Sequence, residues 1–209
     1  MDALTEWVVA AAASPWVLPL AALLTVADAF LVVVPSESVI VALASLSVSQ
    51  GTPHLAALIA VAASAAVVGD SLTFLVGRRW GRPLLERIRS PRVQRVFAWA
   101  GESLQRRAAL VIFIARYIPF GRVAVNLVAG ATGFAYRRYL PLSLLACTAW
   151  SLYNVAVGAA FGAWFGDNPV LAVVTSIVAA IAVGFAIDAV RMRRAARRRP
   201  QTGDTITGG

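Results

Sequence analysis

The stretch Ala27–Gly51, ADAFLVVVPSESVIVALASLSVSQG, decides how this chain folds. It is apolar on both sides of Pro35, Ser36 and Glu37, carries Asp28 ahead of that break, and ends at Gly51, Thr52 and Pro53. Proline removes an amide donor and interrupts a helix. The arm after the break, Ser38 to Gln50, has 13 residues. At about 1.5 Å per residue it reaches about 20 Å, short of the roughly 30 Å hydrocarbon core of a bilayer. A hairpin entering and leaving on one side, with its tip at Pro35, fits better than a second crossing.

The design recurs at Ala109–Phe134, ALVIFIARYIPFGRVAVNLVAGATGF. Ala108 to Ile118 is apolar except for Arg116. Pro119 to Arg122, with Gly121 in the break, interrupts it before Val123 to Phe134. Neither arm is long enough to cross. Leu55 to Gly77, carrying Asp70, reads as a full span, as do Tyr139 to Phe165 and, after a tight turn at Gly166 to Pro169, Val170 to Val190. Arg78 to Arg107, with Glu86 and Glu102, reads as an amphipathic helix on the cytoplasmic side. A unit of one hairpin and one crossing must reverse its orientation when repeated, a plan many transporters share, with broken segments meeting near the midplane. The expected fold is therefore an all-α membrane protein. It comprises an inverted repeat of two re-entrant helical hairpins, about three full transmembrane helices and a cytoplasmic amphipathic segment, forming one domain over residues 1–199. Residues 200–209 are polar and Gly/Thr-rich and read as a disordered tail.

Composition agrees. Of 209 residues 59% are hydrophobic and 14% charged, with a mean hydropathy of +0.75, against about 25% charged in soluble domains. The net charge of +9 comes from 19 basic residues, all Arg, none before Arg78. Nine lie between Arg78 and Arg107 and six between Arg191 and Arg199. Arginine blocks flanking apolar spans mark the cytoplasmic face, so the basic charge reports topology, with a cytoplasmic carboxyl terminus, and not nucleic-acid binding. Met1 to Glu6 carries acids and no basic residue, unlike a cleaved signal peptide. PQTGD near the end lacks the Leu before Pro and the apolar stretch of a sortase signal. Cys147 is alone and reads as a small buried hydrophobe. His54 has no second ligand nearby, so neither a metal nor a cofactor is expected. One His and one Cys leave no nucleophile and base pair, and Val67 occupies the first position of a Gly-x-Gly-Asp protease motif. An enzyme is not expected.

Function must then reside in charges placed where they are costly. A charge at the bilayer centre costs about 2.5–3.5 kcal/mol on insertion scales and marks a site by default. Five qualify. Asp28 and Glu37 sit on the first hairpin and face Arg116 and Arg122 on the second; Asp70 lies on the span between them, eight residues before Arg78, deep enough to be functional but close enough to pair with a loop arginine. They read either as ion pairs gluing the hairpins together or as a polar midplane cavity. In the cavity Arg116 and Arg122 would hold an anionic head group, the planar guanidinium matching phosphate oxygens, and the acids would exchange protons. Asn126, one turn beyond Arg122, would either line the same cavity as a hydrogen-bond donor or only bridge helices, the former fitting its place beside Arg122 better. Asp188 and Arg191 read as an ordinary surface pair, Gly158, Gly162 and Gly166 as a close-packing stripe, and Trp16, Trp150, Trp164 and Tyr139 as interface or packing residues.

Four motifs resemble the bacterial DedA family, whose members share the VTT or SNARE-associated domain. They are Asp28 with Pro35-Ser36-Glu37; GDSLTFLVGRRWGR at Gly69–Arg82; FIARYIPFGR at Phe113–Arg122; and NLVAGATGF followed by YRRYL. The likeness runs from about Leu24 to Arg199 and includes the Asp167-Asn168-Pro169 turn. It implies two facing re-entrant hairpins in the bacterial inner membrane, a role in envelope and proton-motive-force homeostasis, and in some members translocation of undecaprenyl phosphate or phospholipids. It also implies functional membrane acids at Asp28 and Glu37 and functional arginines at Arg116 and Arg122. Members commonly have Pro-Gly-x-Arg where this chain has Phe120 between Pro119 and Gly121.

The expected function is proton-coupled translocation of an anionic lipid, a polyprenyl phosphate or a phospholipid. The alternatives are a proton-coupled small-solute or ion antiporter and a non-transporting assembly or stability factor. The expected partners are membrane lipids and protons; a homo-oligomer is compatible with the sequence. Counting crossings back from the arginine blocks puts the amino terminus outside. An epitope at residue 2 should thus bind an impermeant antibody on intact cells, whereas binding only after permeabilisation would make Trp7 to Ala27 a full span.

Overall fold

The structure is a computed structural model that describes residues 2–30, 36–81, 83, 91–116, 118, 120–164, 174, 175 and 178. No strand occurs among the described residues. Seven helices do: α1 (Asp2–Ala13), α2 (Val17–Asp28), α3 (Ser36–Gln50), α4 (Leu55–Val76), α5 (Pro91–Ala115), α6 (Gly121–Ala131) and α7 (Tyr136–Trp164), with a π-helical turn at Gly77–Gly81 prolonging α4. Two are long and apolar enough to cross a membrane: α4 with its π turn, 27 residues, and α7, 29 residues. The third expected span, Val170 to Val190, lies almost wholly outside the described residues, as do Gly166, Asp188, Arg191, the tail and the tip prolines Pro35 and Pro119.

Local chemistry accounts for the breaks. Trp7 to Ala27 is not one continuous helix, because the chain turns at Ser14–Trp16, where the Trp16 amide donates to Ser14 Oγ at 3.3 Å and the Val17 amide to the Ser14 carbonyl at 3.1 Å. Helix α5 is kinked at Arg107 (φ −143°, ψ 48°), at the junction between the basic segment and the apolar arm. Before the kink Gly101 and Leu104 face inward, while Trp99, Glu102 and Arg106 face outward, the amphipathic pattern of the sequence. Glu102 and Arg106 form an exposed i,i+4 pair at 2.8 Å, which contributes little. Phe120 caps α6 in the left-handed region at φ 59°, costly for a residue with a Cβ. It stands one residue after the proline of the second break.

Packing crosses between the halves. Helices α4 and α7 run antiparallel through two apolar clusters. Leu58, Ala62 and Ala66 of α4 join Trp150 and Val155 of α7 in one, with Ile40 and Leu43 of α3. Phe74 joins Tyr139 and Ala146 in the other, with Leu104, Ile112 and Val128. Helix α3 lies parallel on α7, where a Cβ at Gly158 or Gly162 would strike the Val41 or Ser45 carbonyl. Helix α6 lies parallel on α4, where a Cβ at Gly77 would strike the Leu127 carbonyl and one at Gly130 the Phe74 carbonyl. So the Gly158 and Gly162 part of the stripe is a close-packing surface, and an equivalent one serves the other half. Each helix that follows a break rests on the long helix of the opposite half.

Such contacts leave no room for a methyl group, and overpacking costs roughly 1–3 kcal/mol. Gly158→Ala and Gly130→Ala should each lower the thermal midpoint in detergent by several degrees, while Ser64→Ala on the exposed face of α4 should leave it within a degree or so.

Candidate functional site

Between the two apolar clusters lies a ladder of charges. Asp70, midway along α4, has only 4% of its side chain exposed, and Arg116, just past the end of α5, only 2%. Arg116 Nη1 donates to Asp70 Oδ2 at 2.8 Å. Arg122, on the first turn of α6, brings Nε to 3.7 Å from Asp70 Oδ1. Its Nη2 donates to the Asp28 carbonyl at 2.7 Å and to Asp28 Oδ2 at 3.1 Å. Charges thus alternate as Asp28, Arg122, Asp70, Arg116, with no net charge.

The local positions explain the pairing. Asp28 ends α2, where the helix dipole disfavours an anion, and Arg122 starts α6, where it disfavours a cation. Each end supplies what the other needs. Gly69 allows α2 to approach α4 so closely that a Cβ there would stand 2.7 Å from Ala29 Cβ. Thr73 Oγ1 donates to the Ala29 carbonyl at 3.2 Å, and Ser36 Oγ at the start of α3 donates to Asp28 Oδ2 at 2.8 Å.

Helix α7 forms the fourth wall. Ser143 Oγ and Cys147 Sγ donate to Asp70 Oδ2 at 3.3 and 3.4 Å, and Tyr139 donates to the Asp70 carbonyl at 3.2 Å. Phe74 stacks on Tyr139 with centroids 4.5 Å apart. The ring of Trp150 lies under Arg116, its centroid 4.9 Å from Cζ, a cation–π distance. The indole N–H donates to Glu37 Oε1 at 3.2 Å.

Satisfaction is lopsided. Three donors converge on Asp70 Oδ2, while Oδ1 accepts no hydrogen bond among the described residues. Arg116 Nε and Nη2 are likewise buried and unpaired. These two form one edge of the guanidinium, the fork that takes two oxygens of a phosphate or carboxylate side by side.

The structure brings five of the sequence-derived residues together: Asp28, Asp70, Arg116 and Arg122 directly, and Glu37 through Trp150. The expectation that Glu37 faces an arginine is corrected, since its bond is to an indole and Arg122 takes Asp28 instead. Asp70 pairs across to the second half and not to a loop arginine, because its mid-helix position puts it level with the second break. Asn126 is buried on α6, one turn after Arg122, and Gly121 opens that helix. His54 is exposed beside α4, and no cluster that could hold a metal ion occurs among the described residues. Sequence reasoning missed Ser36, Ser143 and the roles of Cys147, Tyr139 and Trp150. The signal was present as Tyr139, Ser143, Cys147 and Trp150, spaced by four, four and three along one face of α7.

An apolar helical bundle with two helices long enough to cross a membrane, joined by a buried ladder of ions, fits a membrane protein. The VTT domain model matches residues 34–160, and the chain belongs to the DedA family of membrane proteins. It is 29% identical over 160 residues to Protein DedA of Escherichia coli (strain K12), covering 75% of this chain and 72% of that one. It is 27% identical over 141 residues to undecaprenyl phosphate transporter A of Bacillus subtilis (strain 168), covering 65% and 69%. An uncharacterised membrane protein of Mycobacterium tuberculosis (strain H37Rv) is 30% identical over 125 residues, covering 56% and 57%. No solved structure matches the chain.

Removing one member of a buried ion pair strands its partner, at about 3–5 kcal/mol. Asp70→Asn should lower the thermal midpoint in detergent more than any other single change in the ladder. Asp28→Asn with Arg122→Gln should cost less than the two single losses added together.

Proposed function

We propose that this protein translocates an anionic lipid with a phosphate head group across the bacterial inner membrane, between two re-entrant hairpins arranged as an inverted repeat. The observation that carries the reading is the buried, unpaired Nε and Nη2 edge of Arg116 beside the Asp70 carboxylate. A phosphate offers that edge the two acceptors it lacks, and Arg122, held less tightly at 3.7 Å from Asp70 Oδ1, completes the grip. Asn126 lines the same pocket. An entering phosphate adds negative charge to a neutral ladder, and a proton taken up by Asp28, Asp70 or Glu37 restores the balance. The short helices support this path: α6, at 11 residues, is about 16 Å long and too short to cross the roughly 30 Å hydrocarbon core. The Bacillus subtilis relative's name specifies undecaprenyl phosphate, which makes a polyprenyl phosphate the first substrate to test. The arginine blocks support a cytoplasmic carboxyl terminus.

In liposomes carrying a fluorescent polyprenyl phosphate, wild-type protein should flip the lipid well above the rate of empty vesicles. Arg116→Ala and Arg122→Ala should each reduce that rate roughly ten- to a hundredfold, the scale of a lost hydrogen-bonded charge contact. Equal rates for wild type, variants and empty vesicles would refute lipid translocation. An imposed proton gradient should alter the wild-type rate; indifference to it leaves a passive scramblase. Solute-dependent proton flux without lipid substrate would favour the antiporter. Retained cellular function in Asp28→Asn/Arg122→Gln, with loss in each single variant, would favour the assembly factor.

A further inference from the structure

The Arg116–Asp70 end of the ladder is buried, yet it is linked to an exposed acid outside the ladder. Arg116 is almost wholly buried, whereas Glu37, on the first turn of α3, is exposed. A single side chain touches both. Trp150, itself 2% exposed, places its ring face 4.9 Å from the Arg116 guanidinium and directs its indole N–H to Glu37 Oε1 at 3.2 Å. The ring has few degrees of freedom. A movement that keeps the N–H on the carboxylate carries the π face along, and with it the surface on which Arg116 rests. Arg116 in turn sets the position of Asp70 through the 2.8 Å bond.

We infer that Trp150 is a positioning residue that couples the accessible carboxylate of Glu37 to Arg116, and through Arg116 to Asp70. The pathway is Glu37, Trp150, Arg116, Asp70, and its two ends lie on α3 and α4, the helices either side of the Gly51–Pro53 turn. The inference deepens the transport reading by naming how an exposed acid could govern a buried phosphate grip, and it rests on that reading for its biological purpose. The physical coupling itself does not. Cys147 is the chain's one cysteine; it is buried, donates to Asp70 Oδ2 at 3.4 Å and stands one turn before Trp150. Its reactivity reports directly on whether the ladder around Asp70 stays closed.

The test uses the full-length protein in detergent and in liposomes without any lipid substrate, with methyl methanethiosulfonate as the probe of Cys147. Glu37→Leu, which removes the acceptor at an exposed position, should raise the labelling rate by roughly tenfold, the effect of losing a hydrogen bond to a charged group. Trp150→Phe keeps the ring face under Arg116 and lacks the N–H, so it should raise labelling by a similar factor. The double variant should label no faster than either single one, because both remove the same link. Labelling of Glu37→Leu at the wild-type rate overturns the inference even if Trp150→Phe does not fold. Additive increases in the double variant also overturn it, since they would make Trp150 a packing residue independent of Glu37. Failed lipid flipping alongside coupled labelling would sink the transport reading and leave the coupling intact. In the flipping assay Trp150→Phe should change the maximal rate in step with Glu37→Leu, whereas Trp150→Leu, which removes the ring as well, should also weaken apparent lipid affinity.

Discussion

The carboxylate of Asp70 is the point on which the described structure depends. It accepts from Arg116 at 2.8 Å, Ser143 at 3.3 Å and Cys147 at 3.4 Å, and it faces Arg122 at 3.7 Å. Those four partners come from the end of α5, from α7 and from the start of α6, while Asp70 itself belongs to α4. An unpaired charge in this position would be expensive, so the helices that carry its partners must arrive together. The ladder thereby specifies how one half of the molecule meets the other.

Hydrophobic packing supplies the bulk and the ladder supplies the register. The two apolar clusters would tolerate small slides of α4 against α7, since alanines and leucines exchange neighbours at little cost. The glycine contacts and the ion pairs do not tolerate them. Gly77 and Gly130 fit α6 to α4 backbone to backbone, as Gly158 fits α7 to α3. A shift of one residue would bring side chains into carbonyls and strand Arg116. Buried ion pairs are weak sources of stability in general, and their best-attested use is the choice of one arrangement over its competitors.

Part of the chain's course was readable because the junction at Arg107, where α5 kinks, is visible in the sequence as a change from charged to apolar residues. The glycine stripe on α7 was readable directly as a residue type. The five membrane charges could be named from cost alone. Their partners could not, because pairing depends on which helix faces which, and a one-dimensional pattern carries no distances. Glu37 and Arg122 looked complementary by sign and by position beside the two prolines, yet Asp28 is nearer, its helix end drawn to the opposite end of α6. Trp150 escaped notice because tryptophan in an apolar helix is usually packing or interface. Its spacing from Tyr139, Ser143 and Cys147 held the clue, legible only once Asp70 was known to lie against that face.

The alternation of signs along the ladder also governs the range over which it can act. Four charges in the order minus, plus, minus, plus have no monopole, and what remains is a dipole whose field falls off faster with distance than that of a lone charge. An anion at a distance therefore feels the ladder far less than it feels an uncompensated arginine. Attraction from afar belongs to the isolated arginines, such as Arg78 and Arg79 at the π turn, exposed eight and nine residues beyond Asp70, whose reach in salt is set by a screening length of about 8 Å. On the transport reading proposed above, collecting an anion and recognising it are therefore separate tasks, the first for Arg78 and Arg79 on the π turn and the second for Arg116 and Arg122 beside Asp70.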